Sequence, residues 1–502
     1  MLGSIKISVR DTLIYGLGNV AVKVVGLILI PLYTSPDFFT ADDFGIIGLL
    51  EICGLVVTAV MASSIPQSLT RYFWDKSVNA SQESVFFVSL ITQLAVSAAM
   101  ALLLLPVANG VSGLIFETEG YSNVLRLVII SSAVQSVNNI LNTLMRLRSR
   151  ALFYILTNIS KLLVVLSVTL FLVIRKGEGI EGIYKAQIIG NVFFAIILIP
   201  FAVKNSAPQF NWSLFKEMNL YGYPLLIANI SAVTLNVIDR FSLNSLSLLK
   251  FVAVYTLAFK ITSVIKLVLV DSVKLAVSPL MFKKAGDADS GRFYSKILLY
   301  SSFVIMTGII AVSVFGSEII KIINKNDDLI SAVYIIPILA LSSFFMNMKE
   351  IMVYGLHIAK KTKIIGTIVV VTTFLSLGLN ILLIPPLDAA GCALATMATQ
   401  LIYWIIVYLV SQRYYYIPYE KRKILLILIT GCILSATGYF LNDISLLPRI
   451  LIKISIIISF PFILFFLGFY EQIELETIKG FYRKWSDLSK LAENLRSLKF
   501  KE

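Results

Sequence analysis

Apolar residues run through this chain in about fourteen blocks, each long enough to cross a bilayer core, which takes roughly 20 helical residues. The blocks fall at 11–33, 44–64, 84–108, 122–145, 151–174, 180–203 and 221–238, then 251–280, 293–315, 329–357, 363–384, 389–411, 424–441 and 449–469. Barrel strands need only about ten alternating residues, so these runs predict membrane helices rather than a barrel.

The loops between the blocks alternate in charge. Lys6 and Arg10 precede the first span, and every second loop is again basic: Arg71 and Lys76; Arg146, Arg148 and Arg150; Lys204 and Lys216; Arg292; Lys360 and Lys361; Arg413 and Arg422. The intervening loops carry Asp37, Asp42 and Asp43, then Glu117 and Glu119, Glu318, Asp327 and Asp328, Asp388 and Asp443, with Arg175, Lys176, Arg240, Lys250, Lys321 and Lys325 as the chief exceptions. A basic bias marks the cytoplasmic side, so an even number of crossings with both termini in the cytoplasm is expected.

Composition agrees. Of 502 residues, 58% are hydrophobic and 14% charged, whereas a soluble chain carries about 25% charge. The net charge of +14 sits in juxtamembrane loops and the tail, where topology and anionic lipid account for it, which argues against a nucleic-acid binder. Cys53, Cys392 and Cys432 fall inside predicted helices, against a disulfide framework or a zinc site. Asn79, Asn158, Asn211 and Asn229 each begin an N-x-S triplet at a membrane or cytoplasmic position and read as chance matches. The first apolar run outlasts the core of a secretion signal, so no cleavable signal is expected. The basic tail, 470–502, could lie on the inner leaflet as an amphipathic helix or simply be a solvated end.

A weak internal repeat divides the rest. Leu13-Ile14-Tyr15-Gly16 opens the first span and Asn219-Leu220-Tyr221-Gly222 the seventh, and Gly182-Ile183 aligns with Gly391-Cys392. Six spans is an even number, so both copies share one orientation, as in two-lobed transporters. The predicted organisation is an all-α polytopic membrane protein: an N-lobe at 1–203, a C-lobe at 204–411, two further helices at 412–469, and the tail.

Three passages resemble the polysaccharide flippases, the O-antigen (Wzx-type) branch of the superfamily that includes the MATE transporters and the lipid II flippase. They are Tyr221-Gly222-Tyr223-Pro224 with Asp239-Arg240-Phe241; Val254-Tyr255 with Ala258-Phe259-Lys260; and Leu379-Asn380-Ile381-Leu382-Leu383-Ile384-Pro385 followed by Gly391-Cys392-Ala393-Leu394-Ala395-Thr396. In the last, Asp388-Ala389-Ala390 stands where the family usually has a glycine-bearing turn. The resemblance implies translocation of undecaprenyl-diphosphate-linked oligosaccharide from the cytoplasmic to the outer leaflet of a bacterial inner membrane, in O-antigen and lipopolysaccharide biosynthesis. Its partners would be that lipid-linked substrate and membrane lipids, with a glycan polymerase and a chain-length regulator as further ones. No cofactor is implied.

Charges inside spans cost about 3 kcal/mol each on insertion scales, so they tend to face protein or water. Lys23, Glu51, Lys161, Lys260 and Lys266 lie deepest; Arg126, Lys185, Lys274, Lys349, Glu350 and Lys453 lie close enough to span ends to snorkel. At 100° per residue, Lys260, Asp271 and Lys274 share one face of the eighth span while Lys266 points away, and Asp271 can pair with Lys274. By the repeat offset Glu51 corresponds to Lys260 across a central cavity. The expected diphosphate-binding residues are Lys23, Lys260 and Lys161, with Arg240 at the exit mouth or in a helix-end pair with Asp239; Glu51, Asp271 and Lys274 serve coupling or charge pairing. An ion-coupled MATE-type antiporter and a membrane glycan polymerase or ligase are the competing readings. The extra helix pair counts against the first. Short acidic-side loops, and the lack of a nucleophile–base pair or metal-ligand cluster in the sequence, count against the second.

Overall fold

The computed structural model describes residues 28–75, 80–274, 277, 281, 287, 289–441 and 444–476, with the side chains of 227, 228, 439 and 440 aside. In chain order the helices are α1 Ile30–Tyr33, α2 Ala41–Ala62, α3 Ile65–Tyr72, α4 Gln82–Leu104, α5 Ala108–Phe116, α6 Ser122–Leu147, α7 Ala151–Leu170 and α8 Gly179–Lys204. They continue as α9 Trp212–Leu246, α10 Leu249–Ile265, α11 Ser290–Val314, α12 Gly316–Ile323, α13 Ala332–Met352, α14 Tyr354–Ile358, α15 Thr362–Tyr414, α16 Lys421–Thr437 and α17 Leu446–Phe466. Eleven helical segments among the described residues are long and apolar enough to cross a membrane. The protein is an all-α, multi-pass membrane protein. Most of the first predicted span lies outside the described residues.

Local chemistry sets the boundaries. Thr40 caps α2 reciprocally with Asp43: the Asp43 amide donates to Thr40 Oγ1 at 3.1 Å, and the Thr40 amide donates to Asp43 Oδ2 at 2.9 Å. At its other end Ser63 and Ser64 take left-handed dihedrals, and Pro66 in the first turn of α3 restarts the helix. The 53-residue α15 holds two spans, because Asp388 leaves helical geometry (φ 48°, ψ −127°). Ser376 and Gln400, one on each side of that break, line the same pocket, so the two halves fold back on one another.

Packing is unequal along the membrane normal. At the acidic-loop end one apolar cluster joins both halves of the chain, running from Tyr33, Phe44 and Leu50 through Val254 and Leu257 to Ile336 and Ile384. At the basic-loop end there are two separate cores. One is built on Leu69, Phe86, Leu144 and Phe194 and takes in Leu214 and Met218 from the start of α9; the other is built on Leu298, Met348, Tyr403 and Phe460. Within the shared cluster α2 and α10 approach through small residues. A Cβ at Gly45 would stand 2.8 Å from the Leu249 carbonyl oxygen, and one at Gly48 only 2.6 Å from Thr256 Oγ1.

Candidate substrate cavity

Below that seal, toward the basic end, the helices part around a cavity of about 510 Å³. Ala59 and Ala62 of α2, Asn139, Asn142, Thr143 and Arg146 of α6, and Asn229, Val233 and Asn236 of α9 line it, with Ser64 and Gln67 at the α2–α3 corner. Positions 139, 142, 143 and 146 recur at helical spacing, so α6 offers one continuous polar face. Asn236 also borders a second, smaller pocket among Asp239, Thr262, Lys266, Ser342, Thr396 and Thr399. The two spaces therefore meet at this residue.

Glu51 and Lys260 form an ion pair at 2.7 Å, between the cavity and the sealed end. Eight residues, about 12 Å of helix, separate Glu51 from Ala59 at the cavity wall. The Lys260 ammonium also lies 5.6 Å from the Phe44 ring centre and 5.9 Å from that of Tyr33. Lys260 and Glu51 keep 17% and 34% of their side-chain exposure.

The other proposed site residues are distributed differently. Lys23 lies outside the described residues. Lys161 donates to Gln135 Oε1 at 2.5 Å and sits 5.5 Å from the Phe194 ring centre, one layer behind the α6 face. Arg240 is buried with its guanidinium 4.4 Å from the Phe259 ring centre. Its neighbour Asp239 accepts hydrogen bonds from the Tyr255 hydroxyl and from the Arg240 amide. Lys274 meets Glu350 at 2.8 Å, and Lys349 meets the same carboxylate at 2.5 Å. A π-helical turn over Lys266–Val270 widens the helical repeat, which rotates Asp271 and Lys274 relative to Lys260; Lys266, at its start, lines the smaller pocket. The 100° rule does not carry through such a turn.

Lys453 does not snorkel. It is fully buried and reaches Glu318 at 2.7 Å, with Arg449 2.9 Å from the same carboxylate, tying α17 to α12. Lys349, half-buried and paired with Glu350, with its ammonium 4.7 Å from the Tyr403 ring centre, does not snorkel either. Charge alone also failed to point to the cavity's amides. The available signal was a concentration of Gln135, Asn138, Asn139 and Asn142 within one span, since an amide in hydrocarbon costs nearly as much as it does in a dry core. Asn229 and Asn158, set aside as chance triplets, stand respectively at the cavity and behind its wall.

A helical membrane body sealed at one end, with a polar cavity between its halves at the other, defines a membrane-transporter architecture. The family model for polysaccharide biosynthesis proteins matches residues 38–327, more than half of the sequence, and the chain belongs to that family. Among solved structures it is similar to the lipid II flippase MurJ in an inward closed conformation, with TM-score 0.74 and 14% identity over 90% of this chain and 99% of that one. An inward-facing multidrug resistance MATE family transporter of the MOP superfamily gives TM-score 0.62 and 15% identity over 83% and 96%. A MOP superfamily transporter from Pyrococcus furiosus gives 0.61 and 14% over 81% and 95%. These likenesses establish the fold. No curated protein matches the chain in sequence.

Proposed function

We propose that this protein moves a diphosphate-linked oligosaccharide on an undecaprenyl-type lipid carrier from the cytoplasmic to the outer leaflet of a bacterial inner membrane, as a transporter and not an enzyme. The observation that carries the reading is the amide- and arginine-lined cavity at the basic end, set against a sealed acidic end, in a chain of the polysaccharide biosynthesis family. Amides and hydroxyls suit sugar hydroxyl groups, and Arg146 suits a phosphate. The halves 1–203 and 204–411 would rock as lobes about the α2–α10 contact, with 412–469 appended to the second. The basic loops and both termini would face the cytoplasm.

Lys260 is the diphosphate residue this reading favours most, with Lys23 as a companion and Glu51 as its partner between cycles. Arrival of an anion at Lys260 would release Glu51 and loosen the innermost contact of the seal. Glu51 is also the candidate for coupling to an ion. Deleting the gene should leave lipid-linked repeat units on the cytoplasmic face of the membrane. The wild-type chain should restore export, and Lys260→Ala at equal abundance should not. Full export by Lys260→Ala would remove that residue's role; undisturbed export in the deletion strain would remove the function.

A further inference from the structure

The hydrogen-bond polarity of the α6 wall is fixed from behind. An ammonium group only donates, so the Lys161 bond at 2.5 Å obliges Gln135 to accept through Oε1 and leaves its Nε2 to donate. That nitrogen donates to Asn139 Oδ1 at 3.0 Å. Asn139 is then left with its own amide N–H groups for the cavity. Asn142 is set in the same sense by a separate route. A backbone carbonyl only accepts, and Asn158 Nδ2 donates to the Tyr154 carbonyl at 2.8 Å while also donating to Asn142 Oδ1 at 3.0 Å. Among the described residues neither the Asn139 nor the Asn142 side-chain nitrogen has a hydrogen-bond partner, and both residues line the cavity. One turn on stands Arg146, with one N–H donated to Thr143 Oγ1 at 3.1 Å. Across the cavity the sense reverses: Asn236 Nδ2 donates to the Ala232 carbonyl at 2.6 Å, which leaves its oxygen for the ligand.

We infer that the α6 face formed by Asn139, Asn142 and Arg146 is an oxyanion-binding wall, held in donor polarity by Lys161 and Asn158 as positioning residues, while Asn236 on α9 receives hydroxyl donors. This deepens the flippase reading and rests on it. The ligand lies with its phosphate or carboxylate oxygens against α6 and its sugar hydroxyls toward α9. The anion can be the carrier diphosphate or the carboxylate of an acidic sugar. Lys161 acts through Gln135, one layer away from the substrate.

The test uses the full-length protein in lipid nanodiscs with inorganic pyrophosphate, glucuronate and glucose as probes. Asn139→Asp with Asn142→Asp keeps shape and replaces donors by acceptors, and is expected to weaken oxyanion binding tenfold or more, roughly the worth of one charge-assisted hydrogen bond. Asn139→Leu with Asn142→Leu removes the donors without adding charge and should act in the same direction. Loss for pyrophosphate alone assigns the wall to the diphosphate; loss for glucuronate alone assigns it to an acidic sugar. Lys161→Arg, also a pure donor, should keep affinity, and Lys161→Glu should lose it by turning Gln135 around. In a Gln135→Leu background Lys161→Glu should add nothing, a non-additivity that loss of packing would not produce. Glucose affinity should respond to Asn236→Leu and not to the α6 variants. Unchanged affinity for both oxyanions in the Asp and Leu pairs, with wild-type melting temperature, overturns the inference. If export still fails on gene deletion, the flippase reading survives that result.

Discussion

Asp388 holds a backbone conformation (φ 48°, ψ −127°) that side chains disfavour, at a turn where the polysaccharide flippases usually place glycine. Its carboxylate repays part of that strain by accepting a hydrogen bond from Ser247 Oγ at 2.5 Å, which ties the α9–α10 loop to the α15 break. Backbone strain of this kind costs about 1–3 kcal/mol, and a net hydrogen bond returns about 1 kcal/mol. Asp388→Gly exchanges one for the other and should leave the melting temperature equal or a little higher. Asp388→Ala keeps the strain and loses the bond, so it should be less stable than wild type by about 1 kcal/mol. The order of the two variants in thermal unfolding checks the argument. At this scale the sequence revealed little about pairing. It named Glu51 and Lys260 through the repeat offset, yet gave no sign that Glu318 holds both Arg449 and Lys453, because those partners lie far apart along the chain.

Helices are held to one another by contacts of two kinds here, and each predicts a different response. The Glu318 cluster fixes α17 with a buried lysine. Removing one member of such a pair commonly costs about 3–5 kcal/mol, since the remaining charge is left in a dry site. Glu318→Ala should therefore destabilise strongly, and Glu318→Met with both Arg449→Met and Lys453→Met should recover much of the loss in a detergent melting series. At the basic end Glu471 meets Lys296 at 2.5 Å and Lys423 at 3.2 Å, fastening the segment that follows α17. The hydrogen bond from Lys296 above all pulls the Glu471 carboxyl down to about 2. A depressed carboxyl stabilises the fold above its unfolded value and loses that contribution as pH falls toward its folded value. Melting temperature should thus drop between about pH 4.5 and 2, and Glu471→Gln should lower it at neutral pH while flattening that acid limb.

On the scale of the whole molecule, the proposed transport cycle requires the sealed end to open. Thr34 joins the two halves there: its hydroxyl donates to the Ile323 carbonyl at 3.2 Å and accepts from the Lys325 amide at 3.3 Å. Thr34→Cys with Asn324→Cys places two thiols across this junction. Oxidation should stop glycan export and reduction should restore it, whereas each single variant should export in both conditions. Export that persists under full cross-linking, measured by gel shift, would exclude opening at this end. The apolar cluster spanning both halves gives the physical reason for choosing this site. It is the part of the molecule that must come apart for substrate to leave outward.

Membrane insertion, helical character, most span boundaries to within a few residues and the turn at Asp388 were determined by the sequence itself; the seventh span, expected at 221–238, is instead a helix over Trp212–Leu246. Each depends on local quantities: run length against bilayer thickness, caps, prolines and the charge of short loops. The internal repeat added a correspondence between α2 and α10. Which polar groups meet depended on tertiary structure. A π-helical turn rotated the second half of the eighth span, the separate cores opened a cavity at the basic end, and α7 set the polarity of α6 from behind. A lipid-exposed block and a cavity-lining block are both helical, because both must satisfy their backbone internally. What distinguishes them is the neighbour each side chain finds, and only the folded chain supplies that neighbour.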